Sequence, residues 1–126
     1  MTNTAVVILN YNGKKYLEKF LPGVIKFSPN CEIVIADNCS TDDSVSFLKS
    51  NFPEVRVIEL PENGGYSAGY NQALDQVDAK FYVLLNSDVE VTEGWVDSTI
   101  ALMQQDDTIA AAQPKILNYN LKDHFE

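Results

Sequence analysis

A chain of 126 residues, 45% hydrophobic and 21% charged, has the length of one ordinary globular domain with a substantial core. Its net charge of −9 and pI near 4.4 argue against nucleic acid as a partner, because a phosphate backbone demands a basic face. The same charge makes any phosphorylated ligand dependent on a cation. No apolar run approaches the ~20 residues that span a bilayer. The N-terminus has no basic residues ahead of its short first apolar run, so no signal peptide is expected and the expected location is cytoplasmic.

The first apolar run, residues 5–10, is continuous, as in a strand covered on both faces. Gly13 supplies a turn. Tyr16, Leu17, Phe20, Leu21, Val24 and Phe27 then recur at helical spacing, so a helix is expected over Lys14 to Phe27, with Pro22 as a potential kink. Residues 32–36 read as the second strand. Ser40-Thr41-Asp42-Asp43 has the composition of a helix N-cap, and its helix runs to about Asn51. Val55 to Leu60 reads as the third strand and Pro61 to Gly65 as a loop. A helix is expected over Ser67 to Val77, a fourth strand over residues 80–85, and a further helix from Gly94-Trp95 to near Gln105. Residues 109–117 read as a fifth strand interrupted at Pro114, and Asn118 to Glu126 shows no periodicity. Strands alternating with helices over this length imply an α/β fold, a mostly parallel sheet with helices on both faces.

Polar residues gather where the strands end. In open α/β sheets ligands bind outside the carboxyl ends of the strands, and here those ends carry Asn10-Tyr11-Asn12, Asp37-Asn38 and Asn86-Ser87-Asp88. Tyr11 either stacks on a base, as aromatic side chains do, or simply packs in its loop. Asp37 either accepts hydrogen bonds from a ligand or caps its own turn. Asn63-Gly64-Gly65 and Gly69 make a glycine-rich loop ahead of a helix, where backbone can approach an anion, but the Gly-Lys-Ser/Thr ending of a P-loop is absent. Asn86 and Asp88, separated by one residue, can address one small volume. A Mg²⁺ or Mn²⁺ ion held by one or two carboxylates, with water and phosphate oxygens in its other positions, suits that arrangement; the bland alternative is an ordinary turn between strand and helix.

Other residues carry bland readings. Trp95 is assigned to the core, Glu90 and Glu93 to solvated loop charge, and Asp106-Asp107 to a turn. Cys31 and Cys39 lack Cys-x-x-Cys spacing and are expected as reduced thiols. His124 is the single histidine, which argues against a histidine-based metal cage or catalytic triad.

Taken in order, the motifs resemble glycosyltransferase family 2 on the GT-A fold. Val7-Ile8-Leu9-Asn10-Tyr11-Asn12 resembles its opening strand and turn, and Asp37-Asn38-Cys39-Ser40-Thr41-Asp42 its Asp-Asn/Asp-x-Ser-x-Asp pattern. Asn63-Gly64-Gly65-Tyr66-Ser67-Ala68-Gly69-Tyr70-Asn71 is similar to the Asn-x-Gly segment. Leu84-Leu85-Asn86-Ser87-Asp88 is similar to the Asn-x-Asp form of the metal motif, which a rhamnosyltransferase-like subgroup carries. The resemblance implies a Rossmann-like, nucleotide-sugar-binding domain over residues 1–126, stopping before the acceptor-binding half. It implies that Tyr11 lies against the base and Asp37 bonds the base or ribose. Asn10, Asn12, Asn38, Asn63, Gly64, Gly65, Gly69 and Asn71 would line the nucleotide pocket, Asn86 would reach the ribose or sugar, and Asp88 would ligate Mg²⁺ or Mn²⁺ on the diphosphate. The implied partners are a UDP- or dTDP-linked sugar and a saccharide or lipid-linked acceptor, with the protein in the cytoplasm or at the inner face of the membrane.

The implied reaction is inverting, with a carboxylate base that activates the acceptor hydroxyl, and no carboxylate of this chain is assigned that role. Two other classes stand beside this one. A Rossmann dehydrogenase would use Asp37 on a ribose, but Asn10-Tyr11-Asn12-Gly13 replaces its Gly-x-Gly-x-x-Gly turn. A non-catalytic nucleotide-binding or interaction module would need no base.

Overall fold

The computed structural model describes residues 2–125. The elements run β1 (Thr2–Asn10), α1 (Lys14–Lys26), β2 (Glu32–Asp37), α2 (Ser44–Asn51), β3 (Arg56–Glu59), α3 (Tyr66–Leu74), β4 (Ala79–Asn86) and α4 (Asp97–Gln105). The four strands form one parallel sheet in the order β3-β2-β1-β4. The chain therefore builds outward from β1 to β3, then returns to place β4 on the other side of β1. That reversal leaves a crevice at the carboxyl ends of β1 and β4, where α/β sheets bind ligands.

The continuous apolar run of β1 has its expected consequence. Ala5 and Val7 point to one face, with Val34, Ala36, Tyr70, Ala73 and Val77. Val6 and Ile8 point to the other, with Leu17, Leu21, Val24, Ile35 and Leu48. Thus α3 covers one face and α1 with α2 the other. Each fully buried aliphatic side chain contributes about 1.5–3 kcal/mol of transfer free energy, and both faces of β1 gain it. This packing carries α1 through Pro22 without a break; the buried stripe of Leu17, Leu21 and Val24 outweighs the one backbone N–H that proline lacks.

The expected fifth strand does not form. Residues 110–117 are exposed and unpaired except for an isolated antiparallel bridge between Leu117 and Phe125. Apolar residues make a strand only where a neighbouring edge accepts their hydrogen bonds, and among the described residues no strand offers this segment one. Pro114 removes a donor from it besides. Residues 40–43 precede α2 as the expected cap segment, with Asp43 at the N-cap, and bond across to the β1–α1 loop. One helix is shorter than its pattern suggests. The α3 helix stops at Leu74, and Val77 enters the core from the turn that follows. Trp95 precedes α4 rather than opening it. It packs beneath the α1 face and donates its indole N–H to Ser28 Oγ at 3.1 Å.

Candidate functional site

The register β1–β2 places Asn10 directly beside Asp37. Both side chains are buried, at 0% and 3% exposure. Asn10 Nδ2 donates to Asp37 Oδ1 at 2.9 Å, and Ser40 donates to the same carboxylate through its Oγ (2.7 Å) and its backbone N–H (2.9 Å). The carboxylate thereby folds the β2–α2 turn back on itself. Gly13 closes over this cluster, since a Cβ there would lie 2.5 Å from Asn10 Oδ1.

Asn12 fastens the same two loops from the surface. It adopts a left-handed conformation (φ 51°), and its Oδ1 accepts the backbone N–H groups of Thr41 (2.8 Å) and Asp42 (3.1 Å). Its own N–H donates to Ser40 Oγ at 2.9 Å. Lys14 extends the clasp through an ion pair with Asp43 at 2.7 Å. The hydrogen bond from Lys14 holds the Asp43 carboxyl below its ordinary pKa, and Asp43 raises that of Lys14. For Asp42, burial pushes the pKa up, but hydrogen bonds from the Ser44 hydroxyl and N–H and from the Lys14 N–H outweigh it, and the net shift is downward.

The glycine-rich loop crosses from the β2 end toward β4. Asn38 Nδ2 donates to Asn63 Oδ1 (3.0 Å) and to the Gly65 carbonyl (3.3 Å), and Asn63 Oδ1 also accepts the Gly65 N–H (3.0 Å). Gly65 has φ +91°, a conformation that favours glycine, and it delivers the chain into α3. Gly69 is required for another reason: a Cβ there would lie 2.9 Å from Leu9 Cδ1, so its absence lets α3 close on the end of β1. Behind the loop, Tyr70 donates its hydroxyl to the Leu85 carbonyl at 3.0 Å, and burial raises its pKa so that it stays a donor.

Between these parts lies an open cleft of about 420 Å³. Tyr11, Asn12 and Gly13 line it from the β1–α1 loop and Tyr16 from the first turn of α1; Asn38, Asn63, Gly65 and Tyr66 line it from the middle; Asn86, Ser87 and Asp88 line it from the end of β4. Six residues anticipated at a ligand site, Tyr11, Asn12, Asn38, Asn63, Gly65 and Asn86, thus meet in one cleft together with Asp88. Asn10 and Asp37 are buried in the network joining the β1 and β2 ends, Gly64 and Gly69 shape the loop and its packing, and Asn71 is on the exposed side of α3. Tyr16 and Tyr66 line the cleft without having been marked in the sequence: their spacing assigns the first to a helix face, and the second is embedded in a motif whose glycines draw the eye.

The electrostatics of the cleft are one-sided. Among its lining residues the sole charged side chain is the exposed Asp88 carboxylate, and no lysine or arginine faces it. The N-termini of α1, at Gly13, and of α3, at Gly65, both line it and bring the positive ends of their helix dipoles there. Among the described residues there is no cluster of three His, Cys, Asp or Glu side chains able to cage a metal. Asp88, with Asn86 and Ser87 beside it, fits instead a hard cation that completes its coordination with phosphate oxygens and water.

Residues 5–124 match the profile of glycosyl transferase family 2, and the chain belongs to that family. It is 27% identical over 113 residues to a Bacillus subtilis protein named as a teichuronic acid biosynthesis glycosyltransferase, TuaG, covering 83% of this chain and 45% of the relative. It is 26% identical over 111 residues to the poly(ribitol-phosphate) β-N-acetylglucosaminyltransferase TarS of Staphylococcus aureus, covering 83% of this chain and 19% of TarS. The solved structure of TarS with UDP-GlcNAc superposes with a TM-score of 0.71 at 21% identity, over 94% of this chain and 41% of that one. The mannosyltransferase PcManGT of Pyrobaculum calidifontis, solved with GDP-Man and Mn²⁺, gives a TM-score of 0.72 at 19% identity, over 90% and 33%. These neighbours share the GT-A fold. The chain spans less than half the length of each of these relatives.

Proposed function

We propose that this member of glycosyltransferase family 2 binds a nucleoside-diphosphate sugar in the cleft between β1 and β4, as the donor-binding part of an inverting transferase. The carrying observation is a cleft at the switch point of a GT-A sheet whose one charged residue is Asp88. A diphosphate would be repelled there unless a divalent cation came with it. Asp88 would hold Mg²⁺ or Mn²⁺, which supplies positive charge to the departing diphosphate. The exposed Tyr11 ring would lie along the base. Asn38 and the Asn63–Gly65 loop would meet the nucleotide, and the first turn of α3 would face the phosphates. Asn10 and Asp37 would act one step back, by holding the β2–α2 turn in place.

One lining carboxylate cannot both bind the metal and deprotonate an acceptor. The general base and acceptor groups are therefore assigned outside this cleft, to the remainder that the longer relatives possess. The acceptor class is a saccharide or a lipid-linked glycan, in line with the teichuronic acid and poly(ribitol-phosphate) in the names of TuaG and TarS. The Asn86-Ser87-Asp88 form favours a nucleotide-deoxysugar donor of the kind used by the rhamnosyltransferase-like subgroup. The same single carboxylate favours a second reading, a non-catalytic nucleotide-binding module.

Calorimetric titration with UDP, dTDP and GDP and their sugars, with Mn²⁺ and then with chelator, tests the proposal. Binding of one base series that requires the metal is the expected result, and equal binding without metal contradicts the role of Asp88. Donor turnover separates the two readings. Hydrolysis or transfer that is lost in Asp88→Ala supports the enzyme, and tight binding with neither reaction supports the module.

A further inference from the structure

Tyr66 opens α3 and lines the cleft, with 61% of its surface exposed. Its ring packs edge-on against Tyr70, with centroids 4.9 Å apart at 68°, as residues four apart on one helix face do. Its hydroxyl donates to Asn86 Oδ1 at 3.3 Å. Tyr70 meanwhile grips the carbonyl of the preceding residue, Leu85, at 3.0 Å. Two tyrosines of α3 thus hold consecutive residues at the end of β4. From the other side, Asn38 holds the same loop through Asn63 and Gly65. The glycine-rich loop is latched to β2 by an asparagine and to β4 by a tyrosine.

An asparagine amide offers one acceptor oxygen and one NH₂ donor. With Oδ1 accepting from Tyr66 and Nδ2 in no hydrogen bond among the described residues, Asn86 has an unengaged NH₂ donor for a ligand, beside the second lone pair of Oδ1. Asn86 stands two residues before Asp88, in a cleft without lysine or arginine. A neutral N–H there matches the oxygen of a phosphate or a sugar hydroxyl, whereas a reversed amide would set an oxygen against it. We propose that Tyr66 is a positioning residue that fixes the amide of Asn86, so that the β4 end presents a hydrogen-bond donor beside the Asp88 carboxylate. The inference rests on the nucleotide-sugar reading above for the identity of the ligand, and on this geometry for the orientation.

Tyr66→Phe removes the hydroxyl and keeps the ring contact with Tyr70. In the presence of Mn²⁺, the affinity for UDP is expected to fall about threefold to tenfold, the worth of one hydrogen bond, while UMP affinity stays unchanged. In an Asn86→Ala background Tyr66→Phe is expected to add nothing, as a double-mutant cycle reports. Nitrogen-edited NMR of the ligand-free chain gives a separate readout. The Asn86 side-chain amide pair is expected to be resolved in the parent and to collapse toward random-coil positions in Tyr66→Phe. Unchanged Asn86 amide signals, or an equal loss for UMP and UDP, overturns the proposal. If the parent chain binds neither nucleotide, the functional reading fails, and the NMR comparison still decides the positioning role.

Discussion

The ends of β1 and β2 and the end of β4 carry nearly the same residue types, yet they do opposite things with them. Asn10 and Asp37 face each other across two adjacent strands and are buried, with the Asp37 carboxylate bonded to Asn10 Nδ2 and to Ser40 while Asn10 Oδ1 has no partner among the described residues. Asn86 and Asp88 stand at the end of β4, which among the described residues pairs with β1 alone, and are exposed. An Asn–Asp pair between two strand ends is pulled into the backbone's own hydrogen-bonding needs. The same pair of residue types at the exposed end of β4 keeps its capacity for a ligand. Neighbourhood in the sheet, rather than residue type, divides a structural carboxylate from one available for chemistry.

This contrast is sharpest in the two aspartates. Asp37→Ala removes the acceptor of the Ser40 N–H and the Ser40 hydroxyl, and leaves Asn10 Nδ2 only its 3.3 Å bond to Ser40 Oγ. Leaving a buried group unpaired costs roughly 1–3 kcal/mol, so the loss of stability should be about 3 kcal/mol, read as a shift in urea midpoint. Asp88→Ala should move that midpoint by less than about 0.5 kcal/mol, the usual range for an exposed residue. A large destabilisation by Asp88→Ala would erase the distinction between the two ends.

The glycines give the next largest effect. Gly13→Ala would press a methyl group into Asn10 Oδ1, and Gly69→Ala would press one into Leu9. Overpacking of this kind costs roughly 1–3 kcal/mol. Gly23 has nothing within 4 Å of a Cβ, and in α1 Gly23→Ala should instead stabilise by about 0.5–1 kcal/mol. Thermal unfolding of the three variants checks the order.

Asn12→Ala removes the surface clasp and should cost about 1 kcal/mol, the net worth of its exposed hydrogen bonds to Thr41 and Asp42. Its effect on nucleotide affinity should exceed that of Asn71→Ala, because Asn12 lines the cleft and Asn71 does not. Titrations of both variants decide this.

The smallest expected effect is on pH. The pKa values of Asp42 and Asp43 are depressed in the folded chain below their ordinary 3.8, so their contribution is present above that value and is lost as pH falls through the folded pKa. Lys14 is shifted upward from 10.5, so its contribution is complete below that value and is lost as pH rises through the folded pKa. Both partners of the ion pair are exposed enough for solvent to screen them. A shallow decline in urea midpoint below about pH 4, reduced by Asp43→Asn, is the expected signature.

Much of the fold is legible in the residues because the signals there are local. The run Val6-Val7-Ile8-Leu9 has no polar face and becomes a strand buried on both sides. Leu17, Leu21 and Val24 share one helical face and become core. The failure at residues 109–117 is of another kind, since a strand is a relation between two segments and the pattern describes one. The candidate site divides the same way. Asn86 and Asp88 follow a strand and can be picked out by spacing, whereas the burial of Asp37 depends on the register that sets it beside Asn10. Tyr66 was hidden because its role comes from Asn86, twenty residues away in sequence.

The most direct test of the division between the two ends is Mn²⁺-dependent UDP binding by the parent chain and by Asp88→Asn, each shown to be folded by its urea midpoint. The account predicts that the parent binds UDP more tightly with Mn²⁺ than with chelator, and that Asp88→Asn keeps its stability but loses the metal effect. An undiminished metal effect in a folded Asp88→Asn chain would contradict it.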